Sequence, residues 1–190
     1  MRIVAFVGPS GSGKTRLLVR LLRALQRRGL AVAAAKHSHH RGFDRPGTDS
    51  HRLRRAGAQG VAVVGRGELA FFGAAPADPR ALARFFEGAD VLLCEGFKGS
   101  RLPKIEVHRR AVGAGYLCAS DASIVAAVTD EPAPRPLPTF GPGQVEALAD
   151  WLCSLWGLAT HRGPAHLHLA PPALRRRGRN ATRAARSKNK

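Results

Sequence analysis

The chain has 190 residues, 44% of them hydrophobic and 23% charged, with a formal net charge of +18 at pH 7. These proportions allow a globular domain with a sizeable core and exclude a collagen-like or wholly disordered chain. Half of the excess charge sits at one end: from Ala159 onward there are nine Lys or Arg and no acid, leaving 22 bases against 13 acids in residues 1–158.

In chain order, "RIVAFVG" reads as a short buried strand that runs straight into glycine, with no apolar leader ahead of it. "KTRLLVRLLRALQRRG" follows as a helix with Leu17, Leu18, Leu21, Leu22 and Leu25 on one face and Gly29 as its stop. "LAVAAAKH" returns as a second buried strand, parallel to the first through a right-handed crossover. A polar loop leads to a short helix over "TDSHRLRRAGA", capped by Thr48 or Asp49. "GVAVVG" and "ELAFFG" around "RG" read as a hairpin, and "DPRALARFFEGA" as a helix with Asp78 as cap and Pro79 in its first position. "DVLLCEG" is another buried strand. "PKIEVHR" alternates apolar Ile105 and Val107 with Lys104, Glu106 and His108, which predicts a half-exposed strand near a sheet edge. "ASIVAAVTD" is read as the final strand and "GQVEALADWLCSLWG" as a closing amphipathic helix.

Alternating strands and helices with apolar strands define an α/β fold, a P-loop NTPase-type doubly wound and mostly parallel sheet with helices on both faces. The domain is expected over residues 1–158, followed by a basic, disordered tail over residues 159–190. Cys94, Cys118 and Cys153 are widely spaced without a C-x-x-C pair, which reads as reduced thiols filling core space in a cytoplasmic protein. No apolar stretch reaches the roughly 18 residues that a membrane span requires.

"GPSGSGKT", Gly8 to Thr15, matches the phosphate-binding P-loop pattern between a strand and a helix. Its glycines (Gly8, Gly11, Gly13) turn backbone amides inward with Ser10 and Ser12 between them, and the helix that opens at Lys14, Thr15 and Arg16 adds its positive end. Lys14 is placed for the β- and γ-phosphates and the Thr15 hydroxyl for Mg²⁺. Ligands of open α/β sheets lie beyond the carboxyl ends of the strands, where "DVLLCEG" delivers Glu95. Glu95 then serves as an acid near Mg²⁺, or else as a cap or a salt-bridge partner of Lys98 or Lys104. Lys36 ends the second strand at the same edge and suits phosphate. Asp44 or Asp49 offers a second acid for the metal's shell, Asp49 also suiting a helix cap. The histidines of "KHSHH" lack zinc spacing, and "GFDRPG" has the small and rigid residues of a loop that senses the γ-phosphate.

"GPSGSGKT", "KHSHH…FDRPGTDSHRLRRAGA", "DVLLCEGFK", "PKIEV" and "VTDEP…LPTF", in that order and spacing, resemble the MobB family of molybdopterin-guanine dinucleotide biosynthesis adapter proteins over residues 2–155. The resemblance implies a GTP-binding homodimer with weak GTP hydrolysis. It also implies assistance to the MobA-type guanylyltransferase, which attaches GMP to molybdopterin. Carried onto this chain it assigns Gly11, Gly13, Lys14 and Thr15 to phosphate and Mg²⁺, and Asp49, Glu95, Gly96 and Lys98 to loops around the nucleotide. No N-K-x-D guanine motif is present, so guanine preference rests on the resemblance, with Thr129 and Asp130 as the candidate base contacts. A competing reading is a small-molecule kinase of the same fold, whose acid and arginines would come from "GFDRPGTDSHRLRR". The basic tail suggests accessory, nonspecific contact with nucleic acid, without aromatic interleaving in the core to make it the main function.

Overall fold

Strand β1 (Arg2–Val7) is apolar on both faces because both are covered. Val4 and Phe6 point to one side and Ala5 and Val7 to the other, so the strand can only lie inside a sheet. The structure, a computed structural model, describes residues 1–38, 42–76 and 78–159. Along the chain follow α1 (Lys14–Arg27), β2 (Val32–Lys36), α2 (Asp49–Arg55), β3 (Gly60–Val64), β4 (Leu69–Gly73) and β5 (Val91–Glu95). β6 (Lys104–Val107), β7 (Ile124–Val128), β8 (Thr139–Phe140) and α3 (Val145–Trp156) complete the order. Six strands form one sheet in the order β2-β5-β1-β6-β7-β8, every neighbouring pair parallel. β3 and β4 stand apart as the expected antiparallel hairpin.

One face of the sheet is covered by α1 and α3. Leu17, Leu18, Leu21, Ala24 and Leu25 of α1 and Val145, Leu148, Ala149, Leu152 and Cys153 of α3 meet Val4, Phe6, Val91, Leu93, Ile105 and Val107 in one core. The opposite face is closed by irregular chain and short 3₁₀ turns, with Leu82, Phe86, Tyr116 and Leu117 lying on Ala5, Leu92, Cys94 and Ile124. The three cysteines are buried free thiols, and burial raises Cys94 and Cys118 to about 11, so both stay protonated. Among the described residues no helix is long and apolar enough to cross a membrane.

β1 and β2 are parallel as expected, with β5, from much later in the chain, lying between them. Several expectations change. Pro79–Phe85 is a 3₁₀ segment rather than an α-helix, although Asp78 caps it as expected by accepting from Arg80 N at 2.9 Å. The two-residue edge strand β8 was too short to leave a pattern.

The main correction concerns β6. It lies between β1 and β7 rather than near an edge, and all four of its residues are buried. Its polar alternation is matched by partners on the irregular face. Lys104 Nζ donates to Ser100 O (2.7 Å) and Ser123 Oγ (2.5 Å) and pairs with Asp121 (3.3 Å). Glu106 accepts from the amides of Leu117 (2.7 Å) and Cys118 (2.8 Å). His108 meets Glu131 at 2.5 Å and stacks on Tyr116 with ring centres 3.8 Å apart. Buried polar groups persist when they are bonded in this way, and of these groups only His108 Nδ1 has no partner among the described residues. The tail residues 160–190 and residues 39–41 of the histidine loop lie outside the described residues.

Leu21 is fully buried between α1, α3 and the sheet. Leu21→Ala should lower the unfolding free energy by about 2–5 kcal/mol in urea denaturation. Leu155→Ala, at a side chain 54% exposed, should change it by no more than about 0.5 kcal/mol.

Candidate functional site

The loop after β1 runs over the C-terminal end of β6. Gly8 has φ 147°, and a Cβ there would lie 2.2 Å from the Val107 carbonyl oxygen, so only glycine fits. Gly13, with φ 88°, is the N-cap of α1 and offers no side-chain cap, which leaves the first amides of α1 directed at the loop. Lys14 folds back and donates to Gly8 O (3.0 Å) and Pro9 O (2.6 Å). Burial lowers its pKa and neighbouring Lys36 adds to this, while Glu95 opposes both. Ser12 is buried, and its Oγ, close against Gly8, has no hydrogen-bond partner among the described residues. Ser10 and Gly11 form the exposed tip, and Arg16 is exposed on the first turn of α1.

Glu95 is set by strand parity. Val91 and Leu93 face α1, so Glu95, two residues further, faces α1 as well, at the C-terminal end of β5. There its Oε2 accepts from Thr15 Oγ1 at 2.7 Å. β2 pairs with β5 so that Lys36 lies beside Glu95, and Lys36 Nζ meets Oε1 at 2.9 Å. Burial pushes the Glu95 carboxyl up, but the bonds from Lys36 and Thr15 and the charges of Lys36 and Lys14 hold it below the usual carboxylate range. Its salt-bridge partner is therefore Lys36. Lys98 is exposed, and Lys104 is buried with Asp121 and the serines around β6. Gly96 and Phe97 both have positive φ (89° and 57°), which turns the chain sharply away as soon as Glu95 is delivered.

The remaining predicted residues are sorted by the fold. Asp49 is the first residue of α2, almost fully exposed and paired with Arg52 at 3.5 Å, and it bonds neither Thr15 nor Glu95. Thr48 is the cap of α2, accepting from His51 N at 3.3 Å. Asp44 is buried and satisfied by Ser50 (2.7 Å), Thr48 (3.3 Å) and Arg54 (3.2 Å), which fixes the loop before α2. Thr129 is buried, its hydroxyl engaged with Tyr116 Oη (2.8 Å) and Glu131 N (3.1 Å). Asp130 is exposed at the end of β7, where Oδ1 accepts from Arg110 N at 2.9 Å and this bond, before any other cause, holds its carboxyl low.

One residue at this edge escaped the sequence reading. Arg109 follows β6, donates from Nη1 to His108 O (2.7 Å) and Val128 O (3.3 Å), and brings Nη2 to 3.9 Å from where a Cβ on Gly13 would stand. Its position two residues past a buried strand was the available signal, masked because β6 was read as an edge.

Inward amides, an ammonium, an orphaned hydroxyl and a hydroxyl–carboxylate pair suit a polyphosphate with a hard divalent cation bound by oxygen. A parallel sheet with this loop between β1 and α1 and an acid at the neighbouring strand end defines a P-loop NTPase-like α/β protein. The family model for molybdopterin guanine dinucleotide synthesis protein B matches residues 3–130. The molybdopterin-guanine dinucleotide biosynthesis adapter protein of Escherichia coli (strain K12) is 33% identical over 160 residues, 79% of this chain and 90% of that protein. The adapter protein of Haemophilus influenzae is 37% identical over 113 residues, 57% of this chain and 64% of its own length. The crystal structure of Bacillus subtilis MobB superimposes with a TM-score of 0.61 at 28% identity, covering 81% of this chain and 97% of that one. The chain belongs to the MobB family.

Lys36 is mostly exposed, so its pairing with Glu95 contributes under about 1 kcal/mol to stability. With its folded pKa depressed, Glu95 adds stability that is present above its unfolded pKa and lost as pH falls through the lower folded value. Lys36→Met leaves the burial and removes the countercharge, so the Glu95 carboxyl should titrate at higher pH in an NMR titration, and the acid-side loss of stability that Glu95 contributes should become smaller and be complete at a higher pH.

Proposed function

We propose that this chain is a GTP-binding adapter that assists molybdopterin guanine dinucleotide biosynthesis, the role named for its Escherichia coli relative. The observation that carries the nucleotide reading is the cluster of Thr15, Lys36 and Glu95 directly beside the glycine loop and Lys14. In this reading the amides of residues 8–15 and Lys14 hold the β- and γ-phosphates, with Arg16 on the same turn toward the nucleotide's other phosphate. Thr15 and Glu95 hold Mg²⁺, which supplies charge neutralisation between the phosphates when bound. Lys36, at the same strand edge, would be placed for the γ-phosphate when Glu95 is engaged with Mg²⁺. Lys98 lies on the exposed turn after Glu95. Asp130 presents an ionised carboxylate to the base, and Thr129 supports it by closing the turn. Asp49 is left out of the metal's shell because it faces solvent beside Arg52.

The same electrostatics account for weak hydrolysis. A carboxylate held ionised by Thr15 and Lys36 is a poor proton acceptor, so Glu95 suits a metal's charge better than general-base work on water. Binding, rather than turnover, is then the main output.

The partners we propose are a MobA-type guanylyltransferase and a second copy of this chain. The β3–β4 hairpin supports the homodimer. It stands outside the main sheet and exposes Val63, Val64, Leu69 and Phe71, an apolar ribbon with free edges suited to pairing. We place the protein in the cytoplasm and give the basic tail nonspecific contact with anionic polymers.

Calorimetry in Mg²⁺ buffer should show binding of GTP in preference to ATP. Lys14→Ala should weaken GTP by about 10- to 100-fold, the worth of a charged hydrogen-bond donor, with an unchanged melting temperature. Undiminished GTP affinity in that variant would sink the phosphate-site assignment.

A further inference from the structure

Arg109 is a cation at the nucleotide edge to which the phosphate reading assigns no task. Its Nη1 donates to His108 O (2.7 Å) and Val128 O (3.3 Å), so the guanidinium is pinned across the C-terminal ends of β6 and β7. Its Nη2 reaches the flank of the glycine loop at Gly13, 3.9 Å from the position of a Cβ there. Asp130, just past the end of β7, is fixed by the Arg110 amide at 2.9 Å and lies near enough to Arg109 to feel its charge. The arginine therefore lies between the flank of the glycine loop and the end of β7, the strand that leads to Asp130.

We propose that Arg109 reads the nucleoside: its plane carries the purine base of a nucleoside triphosphate, while the adjacent Asp130 accepts from the base edge. This rests on the nucleotide reading above and adds the residue that would set base specificity. The phosphates already have Lys14, Lys36 and the loop amides. Two carbonyls hold the guanidinium in a fixed plane, and a fixed plane offers a face for stacking more readily than a free fork for phosphate. Asp130, an acceptor only, complements the two N–H donors on the pairing edge of guanine and meets the ring-nitrogen acceptor of adenine with repulsion. Between them the two side chains would select a guanine nucleotide without an N-K-x-D motif.

The test is calorimetric titration, in Mg²⁺ buffer, of the full chain with GTP and separately with inorganic tripolyphosphate, which has the phosphates and no base. Arg109→Ala should weaken GTP by about tenfold, the scale of a lost desolvated stacking contact, while tripolyphosphate stays within about twofold. Arg109→Lys keeps the charge without the plane and should recover little of the GTP affinity. Retained tripolyphosphate binding also reports that the loop remains folded once the carbonyl anchors are gone. An equal loss on both probes, or full rescue by lysine, would make Arg109 a phosphate contact and overturn the proposal, as would unchanged GTP affinity. A wild-type chain that binds tripolyphosphate but shows no gain from the base would overturn it as well and leave the phosphate site standing. A wild-type chain that binds neither probe would remove the nucleotide reading itself.

Discussion

Glu95 joins three elements that are distant in sequence. One carboxylate oxygen accepts from Thr15 on the first turn of α1 and the other meets Lys36 at the end of β2, while its own strand, β5, lies between β2 and β1. A carboxylate at the end of an otherwise apolar strand is costly unless its charge is met. Here the partners are a hydroxyl and an ammonium. The register of β2 on β5 sets Lys36 beside Glu95, and the parity of β5 sets Glu95 toward α1. The glycine loop then has to pass directly over the strand ends, and the close approach of Gly8 to Val107 O follows from that path.

The opposite face of the sheet obeys a different constraint. No long helix covers it among the described residues, and the chain that does brings unpaired amides and side-chain oxygens with it. Lys104 and Glu106 of β6 and His108 just after it supply the complementary groups. A row of polar residues thus substitutes for an apolar strand face without leaving its buried charges unmet. Arg109 follows this row directly, so polar groups continue from this face to the edge of the glycine loop. Structural polarity and site polarity are in contact there, through Tyr116, Thr129 and Glu131 on one side and the glycine loop on the other.

Local pattern carried a large part of this protein. Glycines at Gly8, Gly11 and Gly13 before a lysine, a threonine and a leucine-faced helix specify a strand–loop–helix unit because each demand is local: positive φ, open amides and a 3.6-residue apolar stripe. The hairpin, the Thr48 and Asp78 caps and the buried strand ending in Glu95 were legible for the same reason. What required tertiary structure was adjacency. Lys36 as the partner of Glu95 depends on β5 inserting between β1 and β2, and nothing within either segment encodes that order. Asp49 and Asp44 look alike in sequence, yet one faces solvent and the other is buried and bonded by Thr48, Ser50 and Arg54. The alternation in β6 is the plainest case. A strand reads as half-exposed whenever every second residue is polar, and only the chain packed across it decides whether water or protein provides the partners.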